Sequence, residues 1–570
     1  METRAVWFYL LIGIVFLVAP FYTEPTIGGT GFHLPFNISI WLVAPWFMAA
    51  GVLLSMYSRV LRLPREWWLF IPFLLILILS GLLNNDEPIV WLFRIGAVFG
   101  GALFLFALFQ FNLSSKNVEL ALYCLLLAMF FHGLVAAVQT QEISYLLPWF
   151  LQSPNGVPYG VFQQINIQSS YMATSLVIVT YLMSRPRFLV SRWPLKFALL
   201  VIIATSSYVI FSSGSRVGLL GVLLSLPIIA FVRRRQLARH KGFILICLLV
   251  INSNAWNEQD GVSRSLVKIA DLTQNVQSAR LAMYTIGTEL VFQKPLLGHG
   301  IGSFNRVWAQ QSGDFHNRYP NAVLPNSIVT IHPHNEFLYW LIEGGSIIVL
   351  GMILIIAAVG MALYQCGLSR GGAYLAMLIP ITLHTQVELP FYGSSIHWFT
   401  WLFLLFLPLR HQVITYGIRL SRSAVALIYI TSLSLSLLVS SLMLHTLRAQ
   451  ADIFRFLHGD RKPPHLQIAI NNLYFKPLAI EAAMRSTLYG GIQNDDEIFV
   501  REFVTWASKL KPVISMTIYE DIAVAYNYLD YTSVDCKLVQ VGSELYSYNE
   551  KIHTAYQVCK VKNKTNRVSP

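Results

Sequence analysis

Apolar stretches of about 20 residues, long enough to cross ~30 Å of hydrocarbon, recur along the chain near 5–22, 38–57, 67–83, 90–111, 117–137, 169–183, 195–211, 215–232, 241–252, 336–364, 372–384, 394–409 and 423–444. Each predicts a membrane-spanning helix, about thirteen in all, or 12–14 because 241–252 and 372–384 are short. The first run is followed by Tyr22-Thr23-Glu24-Pro25 with no small-residue cleavage site, so it reads as a retained span rather than a removable leader. Two regions lack such runs. In 253–335, Gln277–Phe292 has the pattern of an amphipathic helix ahead of Gly298-His299-Gly300-Ile301-Gly302. In 446–570, helical patterns run through Leu466–Leu488, Ile498–Leu510 and Ile518–Leu529, with turn signals at Gly490-Gly491 and Lys511-Pro512. There is no repeat of fixed period, although paired helices of this length resemble a solenoid fragment. The expectation is an all-α polytopic membrane protein in four segments: helical bundles over 1–252 and 336–445, a large loop over 253–335 and a helical tail over 446–570.

Charge orients this arrangement. Short loops that retain Lys and Arg stay in the cytoplasm. Loop 58–66 carries Arg59, Arg62 and Arg65; 184–196 carries Arg185, Arg187, Arg192 and Lys196; 233–241 carries Arg233, Arg234, Arg235, Arg239 and Lys241. Arg4, Lys116, Arg370, Arg410, Arg419 and Arg422 fall on the same side, whereas loops 23–37, 84–89, 138–168 and 385–396 contain no Lys or Arg. The N-terminus is therefore expected inside, and with thirteen spans the tail outside.

Composition narrows the class further. Apolar residues make up 55% and charged residues only 12% of the 570, which excludes a soluble multidomain enzyme and a disordered chain. The net charge is +13, yet 446–570 holds 15 basic against 13 acidic residues. The excess thus sits among the spans, which argues against a nucleic-acid partner. Cys124, Cys247 and Cys366 lie in or beside spans as small apolar residues. Cys536 and Cys559 share the tail, where an oxidising compartment would allow them to pair. No Cys/His cluster has zinc spacing.

Three polar features converge on the outer side of this map. Arg216, in Ser212-Ser213-Gly214-Ser215-Arg216-Val217-Gly218, opens the eighth span; Arg280 lies in the long loop; His334, in His332-Pro333-His334-Asn335-Glu336, stands at the entrance to the tenth. Guanidiniums offer forked donors to phosphate oxygens and stabilise a pyrophosphate as it leaves. An imidazole takes a proton from an incoming hydroxyl, and Asn335 is placed to orient that ring. Singly, each has an ordinary reading: a span-end arginine snorkels to headgroups, Arg280 is a solvated helix charge, and the histidines cap a helix. Together on one face they suit an anionic, lipid-attached substrate. Arg94 is either a third anion contact or a snorkelling residue. Gln164 and Asn166 suit sugar hydroxyls or a plain loop role, and His384, Glu388 and His397 either shape the site or pack it.

These residues also carry a resemblance. Ser-Gly-Ser-Arg-x-Gly around Arg216, Arg280 with Pro295-Leu296-Leu297-Gly298-His299-Gly300 downstream, and His-x-His-Asn at 332–335 resemble the O-antigen ligase and polymerase superfamily. Gly-x-Phe-x-Gln-x-Asn near Gln164, His332–Leu338, and Glu388-Leu389-Pro390 followed by His397-Trp398 are similar to the bacterial O-linked protein glycosylation ligases, also called pilin glycosylation ligases or O-oligosaccharyltransferases. The resemblance covers about 150–410. It implies an inner-membrane enzyme with a periplasmic active site, loop and tail, which moves a glycan en bloc from undecaprenyl pyrophosphate to Ser or Thr of a periplasmic or pilin-like protein. Arg216 and Arg280 would bind pyrophosphate, His334 would be the essential residue, and no metal would be needed. The chain departs from relatives at Ile165, where Arg or Pro often stands.

Two other functions compete. A ligase to lipid A core, or an O-antigen polymerase, would share the arginines and the histidine and differ in acceptor; the tail of ~125 residues favours a protein acceptor. A transporter of lipid-linked glycans would place ionisable groups near mid-membrane on broken helices, whereas here the polar cluster is interfacial.

Overall fold

The structure, a computed structural model, describes residues 2–83, 87–141, 151–153, 156–274, 279–320, 322, 332–459, 461, 463–510, 515–531 and 534–566. The chain divides into two compact units: residues 1–75, 94–274 and 350–447 form the first, and residues 76–93, 275–349 and 448–570 the second.

Every predicted apolar run is helical over most of its length. Among the described residues, seven helices are long and apolar enough to cross a membrane: Arg4–Phe21, Pro35–Ser58, Pro88–Gln110, Ser115–Gln139, Trp193–Ser213, Glu336–Gln365 and Arg422–His458. An eighth is added if Arg216–Val232 and Arg234–Asn257, bent by 78°, are one span. The count falls below thirteen because several runs make short helices. Ile71–Leu83 has 13 residues, Ser395–Leu409 15 and Lys241–Asn257 17; at 1.5 Å per residue they reach only about 20–26 Å.

In the first unit, Ile165–Met183 is the central helix, packed by Ser115–Gln139, Trp193–Ser213, Arg216–Val232 and Gly367–His384. It is buried almost throughout, including Gln168, Ser169, Ser170, Thr174 and Ser175. Small hydroxyl residues let helices approach closely and bond across the contact. The Ser206 hydroxyl donates to Ser175 at 3.2 Å, and Thr174 donates back to the Ser170 carbonyl at 2.9 Å.

Among the described residues the all-helical expectation has one exception. Val60–Pro64 and Val413–Gly417 pair as antiparallel strands, with Arg62 opposite Thr415. Gln110, fully buried, accepts from Arg62 N at 3.1 Å and donates to Arg62 O at 2.6 Å, satisfying the edge of the ribbon.

In the second unit the tail core is built from Leu488, Val500, Phe503, Tyr519, Ile522, Tyr526, Val539 and Ile552, and Ala309 of the Phe304–Arg318 helix joins it. Two tail predictions are corrected. The pattern 466–488 is not one helix: the Asn472 side chain accepts from Tyr474 N and Phe475 N, both at 3.0 Å, and this local bonding breaks the chain before Lys476–Gln493. Gly490-Gly491 is not a turn but the end of that helix, where a Cβ on Gly491 would lie 2.9 Å from Phe499 Cβ. The turn signal at Lys511-Pro512 lies outside the described residues. Cys536 and Cys559 form a disulfide between the Cys536–Leu545 and Glu550–Asn566 helices.

Of the helix expected over Gln277–Phe292, Ala279–Gln293 is helical, with Leu281 and Phe292 exposed, and 277–278 lie outside the described residues. The glycine-rich segment after it folds over a kink in Glu336–Gln365. Gly345 has φ +67°, and a Cβ there would meet Leu296 O at 2.1 Å, so only glycine fits. Ser346 N donates to Pro295 O at 2.8 Å, His299 N to Ile342 O and Gly300 N to Glu343 O at 2.9 Å each. The buried Glu343 carboxylate accepts from Phe304 N at 3.1 Å.

Candidate functional site

The candidate residues fall in both units. In the first, the chain leaves Trp193–Ser213 through Gly214, at φ +61°, and re-enters a helix at Arg216. Ser215 is the N-cap, its hydroxyl accepting from Gly218 N at 3.4 Å. A Cβ on Gly218 would lie 1.8 Å from Ser169 Oγ. That close approach holds the start of this helix against the start of Ile165–Met183, and the Ser215 hydroxyl donates to Asn166 Oδ1 at 2.7 Å.

The same asparagine reaches Glu388. Asn166 Nδ2 donates to Glu388 Oε1 at 2.8 Å and Gln164 Nε2 to Glu388 Oε2 at 2.9 Å. His384 Nε2 is 3.1 Å from Oε2. On the other side of the ring, His384 Nδ1 lies 2.8 Å from the Ser170 hydroxyl, which also donates to Ile167 O at 3.1 Å. Beyond Ser170, His397 Nε2 lies at 3.3 Å, and its Nδ1 is 3.0 Å from the Ser394 hydroxyl. His384, His397 and Ser170 are fully buried, whereas the Glu388 side chain keeps 13% of its surface exposed. The network therefore has a closed end in the bundle and an open end at Glu388.

Asn37 pins the turn after Glu388, donating to Gly31 O at 2.9 Å and Gly393 O at 3.1 Å and accepting from Ser395 N at 2.7 Å. In that turn Tyr392 presents its ring to Arg94, whose Cζ is 5.4 Å from the ring centre. Arg94, Gln164, Asn166, Glu388, His384 and His397 thus belong to one unit, in which Gln164, Asn166, His384, Ser170 and His397 join through Glu388.

The second unit holds the others. Arg280 is half-buried in the first turn of Ala279–Gln293. His334 adopts φ +50°, uncommon for a non-glycine residue; such strain gathers at functional positions. Its backbone N–H donates to His332 Nδ1 at 3.2 Å, and the two ring centres are 4.4 Å apart. Asn335, expected to orient the ring, uses its side-chain oxygen to accept from Leu338 N at 2.9 Å, capping the helix that follows. Outside the apolar spans, burial lowers the pKa of His299, whose Nε2–H donates to Leu290 O at 2.9 Å. Among the described residues no three His, Cys, Asp or Glu side chains gather to hold a metal ion.

Sequence reasoning overlooked Ser170, Ser215, Ser394 and Asn37. The signal for Ser170 was present: four residues after Asn166, it shares that residue's face of the helix.

Comparison with known proteins adds one match. Residues 199–356 match the family model described as O-antigen ligase. The matched stretch contains Arg216, Arg280, His332, His334 and Asn335, and leaves out Arg94, Gln164, Asn166 and Glu388. It supports a place in that superfamily, whose members are ligases and polymerases that transfer glycans. No curated protein matches the chain.

Proposed function

We propose that the protein is an O-oligosaccharyltransferase of the bacterial inner membrane, transferring a glycan en bloc from undecaprenyl pyrophosphate to Ser or Thr of periplasmic or pilin-like proteins. The observation that carries the site is Arg216 at a helix start whose cap, Ser215, is tied through Asn166 to Glu388. A guanidinium beside the first backbone N–H groups of a helix forms an anion-binding end, and the half-open Glu388 network offers amides to sugar hydroxyls. Arg216 and Arg280 hold the pyrophosphate, and Arg94 adds a third positive group. His334 takes the proton of the acceptor hydroxyl as its oxygen bonds to the anomeric carbon, and the bond to pyrophosphate breaks with the electron pair leaving on phosphate oxygen. That single displacement inverts the anomeric centre and needs no metal ion. The compact tail with its disulfide supports an oxidising compartment and a protein acceptor.

The family description favours a second reading, ligation of O-antigen to lipid A core. Glycan detection on pilin-like proteins and on lipopolysaccharide in a deletion strain separates them. Loss from protein is the expected result; loss from lipopolysaccharide alone would replace the protein-ligase reading.

A further inference from the structure

Glu388 follows the C-terminal end of Gly367–His384 and Asn166 opens Ile165–Met183; a separate polar cavity occupies the opposite ends of those two helices. It has a volume of about 160 Å³ and is lined by Glu119, Arg185, Arg370, Tyr374, Arg410 and His411 among others, all within the first unit. By this measure a single water needs only about 10–15 Å³, so the space admits a phosphate group. These are the ends that carry the basic loops.

The charges around the cavity do not balance. Three guanidiniums face one carboxylate, and that carboxylate is already engaged by Arg185 Nε at 3.1 Å through Oε2. Arg410 donates to Leu113 O at 2.9 Å, while Arg370 has no hydrogen-bond or ion-pair partner among the described residues. The N-terminal ends of Ser115–Gln139 and Gly367–His384 contribute Ser115 and Arg370 to the lining, adding the positive ends of two helix dipoles. His411, in the turn after Ser395–Leu409, reports this field: burial first, then Arg410, Arg370 and Arg185, lower its pKa to about 4. The other Glu119 oxygen, Oε1, is buried with no hydrogen-bond partner, which leaves an acceptor for a hydroxyl beside the positive groups.

We propose that this cavity is a second ligand site, separate from the Glu388 network, that takes a phosphate group carrying neighbouring hydroxyls, the chemistry of a glycerophosphate headgroup. The guanidiniums take the phosphate oxygens and Glu119 Oε1 accepts from a hydroxyl. Basic pockets between spans on the cytoplasmic side are suited to anionic lipid heads, and a soluble glycerol phosphate presents the same groups.

The test uses the full chain in lipid nanodiscs and in detergent. Native mass spectrometry should show phosphatidylglycerol retained about tenfold more than phosphatidylcholine. Arg370→Gln should abolish that preference, whereas Arg192→Gln, an exposed charge outside the cavity lining, should preserve it. Binding of glycerol 3-phosphate in detergent, lost in Arg370→Gln, with no lipid preference, would identify a soluble source for the same chemistry. Equal retention of both lipids together with no glycerol 3-phosphate binding would overturn the proposal, as would equal effects of Arg370→Gln and Arg192→Gln.

Discussion

Asn166 donates to Glu388 Oε1 at 2.8 Å, and its own amide oxygen accepts from Ser215 at 2.7 Å, the residue that caps the helix beginning with Arg216. One side chain therefore links a carboxylate after Gly367–His384 to an arginine at the start of another helix. Replacing it separates charge from packing. Asn166→Ala leaves Glu388 and Ser215 each short of one partner and should reduce glycan transfer about tenfold. Asn166→Asp sets a second carboxylate against Glu388, so one must bind a proton; it should reduce transfer about tenfold further. In vivo transfer at matched protein level measures both, and equal effects would show that charge at Glu388 is unimportant.

The pyrophosphate role predicts that Arg216→Ala and Arg280→Ala each lower transfer by about 100-fold or more. Arg→Lys should rescue in part, because a point charge lacks the fork. Full activity in the alanine variant would return Arg216 to a headgroup contact, or Arg280 to a solvated helix charge.

His334→Ala should be inactive while still binding donor, and His332→Ala milder, because His332 supports the backbone of His334 through its Nδ1. The product should have the inverted anomeric configuration, and activity should survive chelators. Nuclear magnetic resonance of the linkage decides the first point; a retained configuration excludes the single displacement.

The disulfide encloses a separation of 23 residues in the tail, for which chain entropy predicts about 3 kcal/mol of stabilisation. Cys536→Ser with Cys559→Ser should increase proteolysis within 534–566 and leave the protection of 165–183 unchanged.

His299 gives a pH signature. Burial lowers its folded pKa below the ordinary value of 6.5, so below that value the unfolded chain binds more protons than the folded one. Its neutral form contributes stability above about 6.5, and that contribution falls as pH descends toward the folded pKa. Thermal melts between pH 8 and pH 5 should show a decline attributable to this group, flattened in His299→Gln, if about one proton is taken up on unfolding.

Much of the fold was legible locally. A helix closes its backbone bonds within itself, and all thirteen apolar runs are mostly helical, although several make helices too short to span. Ser-Gly-Ser-Arg-x-Gly was read for its arginine, and only the structure gives Gly214, Ser215 and Gly218 their roles as a left-handed residue, a cap and a close approach. Local pattern failed where a distant surface overrode it. Gly490-Gly491 carries a turn signal, yet Gly491 serves the contact with Phe499; the basic loop around Arg62 found a strand partner some 350 residues away.

The chemical grouping belonged to tertiary structure alone. Gln164 and Asn166 reach a carboxylate 224 and 222 residues away, and Ser170 bonds to histidines at 384 and 397. Periodicity and capping act over a few residues, and they placed each polar group near one end of its helix. Which groups then became partners depended on which helices face each other. Small residues decided that by permitting close contact, as Gly218 does against Ser169, and buried hydrogen bonding selected the register in which Asn166, Glu388 and His384 satisfy one another.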